Sequence, residues 1–316
     1  MMHVYRRMGL QRFLNIAGLL FGFLGLAACA VSPEGTAPAP RPSSSQAGPP
    51  TTPFLRIETG MHTAPIRRIA ADAAERYLVT ASHDKTARVW ELAPGKLLRI
   101  LRPPLGDGDE GKLYAVAISP DGATVAVGGW TGYDWEKSNS IYLFDRDSGH
   151  LIRRIAELPE VINNIAYSRD GHYLAAALGG ANGIRVYRTD DFREVARDVA
   201  YGGGSNGIDF DRKGRLVTAS YDGFIRLYDA GFRLLAKQPA PGGKHPFNVR
   251  FSPEGDRVAV GFDGSTGVNV LSGQDLSLLY APATRGVNTD NLSKVAWSQD
   301  GRTLYAGGRY NEGGLH

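Results

Sequence analysis

The sequence predicts an all-β protein assembled from repeated four-stranded antiparallel units. Three observations predict it. First, a polar turn recurs along the chain: DAAE at 72–75, SPDG at 119–122, SRDG at 168–171, DRKG at 211–214, SPEG at 252–255 and SQDG at 298–301. The last residues of these turns are 47, 49, 43, 41 and 46 positions apart, a period typical of repeated supersecondary units. Second, apolar residues flank each turn with a period of two, and no segment sustains a helical period. Third, 40 glycines beside 9 % aromatic residues suit many short strands joined by tight turns.

The first strand of each unit precedes its turn. Three residues before the turn stand Ile69, Val116, Ile165, Ile208, Val249 and Val295, β-branched in every copy. One residue before it stand Ala71, Ile118, Tyr167, Phe210, Phe251 and Trp297. Alternation of this kind buries one face of a strand. Second strands follow at Leu78, Val125, Leu174, Leu216, Val258 and Leu304. Third strands are expected at 86–90, 141–145, 184–188, 224–229 and 268–271. Fourth strands are expected at 96–101, 150–155, 193–198, 232–237 and 277–282. The sixth unit reaches Gly308 without its third and fourth strands, and PFLRIE at 53–58 reads as a spare fourth strand.

SHDKTARVWE at 82–91 resembles the WD40 repeat, with Asp84 six residues before Trp90. SYDGFIRLYD at 220–229 repeats it, with Asp222 six residues before Tyr228. The resemblance covers about 60–316, is closest to the WD40 arrays of bacteria, and implies a β-propeller, a ring of four-stranded blades. It also implies that the Asp caps a tight turn inside a His–Ser–Trp network. That gives structural roles to His62, Ser82, Asp84 and Trp90 in the first unit and to Ser220, Asp222 and Tyr228 in the fourth. Elsewhere the aromatic becomes Phe144 or Tyr187, or is replaced by Leu271. Five complete units and a partial sixth do not close a ring. The expectation is a chain truncated from a larger ring, or a gap filled by a partner.

The N-terminal end reads as an address. Residues 1–12 are basic, and 13–26 form an apolar run too short for a membrane span of about 20 residues. Leu26-Ala27-Ala28-Cys29 resembles a bacterial lipobox, and Cys29 is the only cysteine. The resemblance implies cleavage after residue 28 and a lipid on Cys29, with Ala30 favouring the outer membrane over the inner. Residues 29–53, rich in Pro and Ser, read as a disordered tether. The domain plan is therefore a signal peptide at 1–28, a tether at 29–53 and the propeller at 54–316, incomplete at its C-terminus. The expected location is the bacterial cell envelope, facing the periplasm. Three of the 36 basic residues fall in the signal segment, leaving 33 against 32 acidic ones. That balance offers no basic surface to a nucleic acid.

Loop lengths point to binding. In a meander the connections alternate between two faces, and here the long ones fall on one. Trp130, Tyr133 and Trp135 stand in the loop at 128–140, and exposed Trp and Tyr are common interface anchors. Five residues before each turn stand Arg67, Tyr114, Asn163, Asn206, Phe247 and Ser293, expected to surround the channel mouth. The final loop adds Arg309 and Tyr310. The expected function is a membrane-tethered platform for a protein partner, without catalysis and without a cofactor. GGGSNG at 202–207 matches glycine-rich phosphate and nucleophile motifs, but a strand and not a helix follows it. GDGDEG at 106–111 offers Asp107, Asp109 and Glu110 without the spacing of a calcium loop. Two alternatives are a propeller hydrolase or quinoprotein, which would need inward carboxylates or histidines, and a fragment without function.

Overall fold

A computed structural model describes residues 60–132, 135–284, 287 and 291–308. Among these, every regular element is a strand. The first sheet comprises β1 (Ile66–Ala71), β2 (Tyr77–Ser82), β3 (Ala87–Glu91) and β4 (Lys96–Leu101). The second comprises β5 (Leu113–Ile118), β6 (Thr124–Gly129), β7 (Asn139–Asp145) and β8 (Leu151–Leu158). The third comprises β9 (Ile162–Tyr167), β10 (Tyr173–Leu178), β11 (Ile184–Arg188) and β12 (Glu194–Asp198). The fourth comprises β13 (Ser205–Phe210), β14 (Leu216–Ser220), β15 (Phe224–Tyr228) and β16 (Leu234–Pro239). The fifth comprises β17 (His245–Phe251), β18 (Arg257–Asp263), β19 (Val268–Ser272) and β20 (Leu278–Tyr280). The sixth sheet holds β21 (Lys294–Trp297) and β22 (Leu304–Gly307). Each four-stranded sheet is an antiparallel meander in chain order, so five complete units and a two-stranded sixth stand as the spacing predicts.

The glycine that ends the first turn of a unit has a physical reason. Gly122, Gly171, Gly214, Gly255 and Gly301 all adopt φ between 67° and 78°, a region that costs other residues steric strain. In the first unit Glu75 takes this place at φ 54°. The turn between third and fourth strands repeats the device with Gly95 and Gly149, but with Phe192, Phe232 and Leu276 in the later units. A left-handed residue followed by a one-residue slip bends the strand. Slips occur beside Val89/Trp90, Leu143/Phe144, Val186/Tyr187, Leu227/Tyr228 and Val270/Leu271. Three fourth strands depart from the sequence expectation by more than one residue, β20 being shorter, at Leu278–Tyr280, than the expected 277–282. β16 begins at Leu234 because Phe232 is a turn residue, and β8 runs on to Leu158.

The core lies between sheets. Val79, Ala81 and Val89 pack on Val116, Val125 and Val127, joining the first sheet to the second. Four further apolar clusters join each sheet to the next, ending with Ala259, Val268, Leu292 and Val295 between the fifth and sixth. The β-branched column of the first strands is at most 5 % exposed in sheets two to six. Ile69, its member in the first sheet, is 58 % exposed, because no described sheet precedes it.

The first strands carry a second irregularity that positions the site. In each complete sheet one residue of the inner strand is skipped in pairing with its neighbour. Ile66 pairs with Ser82 and Arg68 with Ala81, omitting Arg67. The same slip omits Tyr114, Asn163, Asn206 and Phe247. A bulge of this kind re-aims the unpaired side chain. The five bulged residues are the five that stand five positions before the turns.

Candidate binding face

The bulges bring these residues together. Arg67, Tyr114, Asn163, Asn206 and Phe247 line one cavity of about 160 Å³, with Arg68, Tyr221 and Lys294. Ser293 is not among them. It is buried, and β21 pairs with β22 from Lys294 onward without a slip, so no bulge turns Ser293 outward. The sequence reading missed Arg68, Tyr221 and Lys294. A signal was present for two of them: Arg68 and Lys294 occupy one column, four residues before their turns, where the other units place Ala115, Asn164, Gly207 and Asn248.

Arg68 is buried and crosses between sheets. Its Nη2 donates to the Asn163 carbonyl at 3.0 Å in the third sheet and to the Asn206 carbonyl at 3.2 Å in the fourth. Its Nε finds no acceptor. The two asparagines are themselves anchored, Asn163 Nδ2 to the Ser205 carbonyl at 3.1 Å and Asn206 Nδ2 to the Gly204 carbonyl at 3.1 Å. Aromatic rings form the walls. The Arg67 guanidinium lies 5.4 Å from the Tyr114 ring centre, and the Lys294 ammonium 4.1 Å from that of Phe247. Tyr221 stacks on His245 at 5.0 Å and on Phe247 at 6.0 Å. Burial pushes Arg68 down to about 9, with Arg250 and Arg67 adding to the effect. Burial pushes Lys294 down to about 5, and Arg68, Arg67 and Arg250 lower it further while Asp263 opposes them.

Beside the mouth, the long loops lean on one another. The backbone N–H of Trp130 donates to the Lys112 carbonyl at 3.0 Å, and its carbonyl accepts from Gly111 at 2.5 Å. This zips the connection at 102–112 to that at 130–138. Trp130 is exposed and Trp135 half-buried. Asp109, weighed above for calcium, pairs with Lys112 at 2.5 Å. Among the described residues no three His, Cys, Asp or Glu side chains converge as a metal site would require. GGGSNG leads into β13 at Ser205. Tyr133, Arg309, Tyr310 and Cys29 lie outside the described residues.

The opposite face differs. Its connections hold four to six residues each, and arginines close it. Arg76 Nη2 donates to the Asp121 carbonyl at 2.7 Å, Arg215 Nη2 to that of Gly255 at 2.6 Å, and Arg257 Nη2 to that of Gly301 at 3.1 Å. Each bond ties one sheet to the turn of the next.

The polar network of the first unit lies on the long-loop side. Trp90 Nε1 donates to Thr80 Oγ1 at 3.0 Å. Thr80 Oγ1 lies 2.7 Å from His62 Nε2, and His62 Nδ1 lies 2.9 Å from Asp84 Oδ2. With Trp90 donating, the hydroxyl of Thr80 is free to donate to Nε2, which leaves the His62 proton on Nδ1, facing the carboxylate. The hydroxyl that joins His62 to Trp90 therefore belongs to Thr80, a correction to the expected role of Ser82. Ser82 Oγ instead accepts from the Asp84 N–H at 3.1 Å and donates to the Ala64 carbonyl at 2.9 Å. The fourth unit is rewired further. Asp222 does not reach Tyr228. It pairs with Arg226 at 2.6 Å, and Arg226 stacks 3.8 Å from the Tyr201 ring centre. Tyr228 donates to Asp198 at 2.7 Å and meets Tyr201 Oη at 2.9 Å, and Tyr201 Oη meets Thr218 at 2.8 Å. Ser220 keeps the place of Ser82, accepting from the Asp222 N–H at 3.3 Å and donating to the Gly203 carbonyl at 3.0 Å.

The family described as "WD domain, G-beta repeat" matches residues 56–91 and 201–229, the segments that carry these two networks. These two segments are WD40 repeats. The chain is similar to small ribosomal subunit protein RACK1 of Caenorhabditis elegans, 27 % identical over 179 residues, 52 % of this chain and 50 % of that protein. It is similar to telomerase protein component 1 of Rattus norvegicus, 24 % identical over 213 residues, 66 % of this chain and 8 % of that protein. Small ribosomal subunit protein RACK1y of Oryza sativa subsp. japonica is 30 % identical over 100 residues, 32 % of this chain and 26 % of that protein. The chain thus spans half or less of the length of these relatives.

Proposed function

We propose that this WD40 protein is a non-catalytic platform that holds a protein partner on its long-loop face, tethered to the cell envelope through Cys29. The observation that carries the reading is the asymmetry of the two faces. One is closed by short turns and arginine–carbonyl bonds. The other displays connections of up to 13 residues, an exposed Trp130 and a built cavity at the mouth. Variable loops on a rigid frame are where scaffolds carry recognition. Two relatives are named as components of larger assemblies, a small ribosomal subunit and telomerase, which fits a role in holding partners. The anchor rests on the sequence around Cys29, and it places the propeller facing the periplasm, at the outer membrane.

Cross-linking in intact cells followed by affinity purification tests the platform. The full chain captures a partner stoichiometrically, and changing Trp130 and Trp135 together to Ala weakens capture at least tenfold, as the loss of two aromatic anchors does. Unchanged capture removes the loop patch from the account. Cell fractionation of Cys29→Ser checks the tether: the variant leaves the membrane fraction. Retention there rules the lipid out as the anchor.

A further inference from the structure

Among the described residues that line it, the mouth cavity gathers cationic groups and no carboxylate. Arg67, Arg68 and Lys294 line it, and Arg250 of β17, itself paired with Asp209 at 3.7 Å, lies close enough to act on both Arg68 and Lys294. Among the described residues that act most strongly on Lys294 the acidic one is Asp263, and it is already engaged. Tyr221 Oη donates to Asp263 at 2.6 Å, and Asn291 Nδ2 donates to it at 3.1 Å. Arg68 is buried, with 7 % of the residue exposed; two backbone carbonyls fix its guanidinium, and its Nε has no acceptor among the protein atoms. A buried donor without an acceptor destabilises the fold, and a ligand acceptor recovers that loss.

We infer that the mouth cavity is an anion site that seats one carboxylate side chain, a Glu or Asp presented by the protein partner. The inference rests on the platform reading above and names the chemistry of what is held. Size argues for a small group: a cavity of about 160 Å³ suits the end of a single side chain. The walls argue for a carboxylate on an aliphatic stem, since the cationic groups of Arg67 and Lys294 lie over the rings of Tyr114 and Phe247, and Tyr221 adds a third ring to the lining. The site lies at the mouth formed by the bulged residues, so a partner resting on the loops can reach it.

The charges add a distinctive readout. The groups that act on Lys294 are Arg67 and Arg68 on β1, Arg250 on β17 and Asp263 on β18. With these neighbours alone, an amine held at about 5 is neutral at pH 7. A carboxylate arriving beside it favours the ammonium form. Binding therefore takes up a proton, and the amine supplies the second half of an ion pair only when the anion is present.

Calorimetric titration of the full chain tests this with a blocked Gly-Ser peptide carrying one central Glu, its Gln counterpart, and inorganic phosphate. The Glu peptide binds saturably and at least tenfold more tightly than the Gln peptide. Repeating the titration at pH 7 in two buffers of different ionisation heat shows uptake of up to about one proton per peptide. Lys294→Met abolishes the uptake and weakens binding at least tenfold, and Arg67→Gln weakens it without abolishing the uptake. Far-ultraviolet circular dichroism confirms that both variants keep their sheets. Equal binding of the Glu and Gln peptides overturns the assignment, as does phosphate binding without Glu-peptide binding. If the Glu peptide fails while cross-linked capture still depends on Trp130 and Trp135, the carboxylate site falls and the platform stands.

Discussion

Thr80 is one hydroxyl on which two partly buried side chains depend. It accepts from Trp90 and meets His62, so its removal strands both. Thr80→Val is expected to destabilise the fold by about 1–3 kcal/mol, the usual cost of leaving buried polar groups unpaired, measured by urea denaturation. Asp84 gives a pH dependence. Burial alone would raise its pKa, but hydrogen bonds from His62, Thr86 and the Thr63 N–H outweigh burial and hold it well below the usual carboxylate range. A carboxyl depressed in the folded state contributes stability above its unfolded value of about 4, and loses it as pH falls toward the folded value. Denaturant midpoints measured from pH 7 to pH 3 should fall, and Asp84→Asn should start lower and fall less. The spacing of Asp84 and Trp90 was legible in the sequence because both sit on one short turn and strand. The part played by Thr80 was not, because the strand pairing that sets Thr80 opposite Arg88 decides which hydroxyl faces the imidazole.

At the scale of elements, the turns show a trade between backbone and side chain. Phe232 holds φ 65° at a cost of about 1–2 kcal/mol for an L-residue. Its ring meets Tyr173 edge-on at 4.9 Å and Phe210 at 6.4 Å, where third and fourth sheets join. Phe232→Gly relieves the backbone and loses the ring. Aromatic burial outweighs the relief, so a net loss of about 1–2 kcal/mol is expected from thermal unfolding. A stabilised variant would show the ring contributes less than the strain. The glycine-ended turns of the first connection were legible, since five copies of one residue align. The left-handed Phe192, Phe232 and Leu276 were not, because local preference argues against them and only packing between sheets holds them. The bulges at Arg67, Tyr114, Asn163, Asn206 and Phe247 were legible only as a column. A column says that residues correspond, and the omitted pairing says where they turn.

For the molecule as a whole, the sequence contained the count of units and the face with long loops, because both follow from repeat length. It did not contain the convergence at the mouth. Arg68 and Lys294 are 226 positions apart, and no local pattern links them. Nor did it contain the bond that Arg68 makes across the inner strands. In arrays whose units touch only their neighbours, stability is close to a sum of unit and interface contributions, and either end can fray alone. Arg68 breaks that rule, since the first sheet is bonded directly to the third and fourth over 95 and 138 residues of chain. The first sheet, whose Ile69 is exposed, should therefore not melt ahead of the others. Hydrogen exchange should show β1–β4 protected to the same degree as β9–β16. In Arg68→Met the first sheet should exchange at least tenfold faster while the third and fourth hold. Equal exchange in both proteins would show the strut to be idle. One buried guanidinium thus converts a row of semi-independent units into a single cooperative body, and a ligand that meets its Nε would act on the melting of the whole row at once.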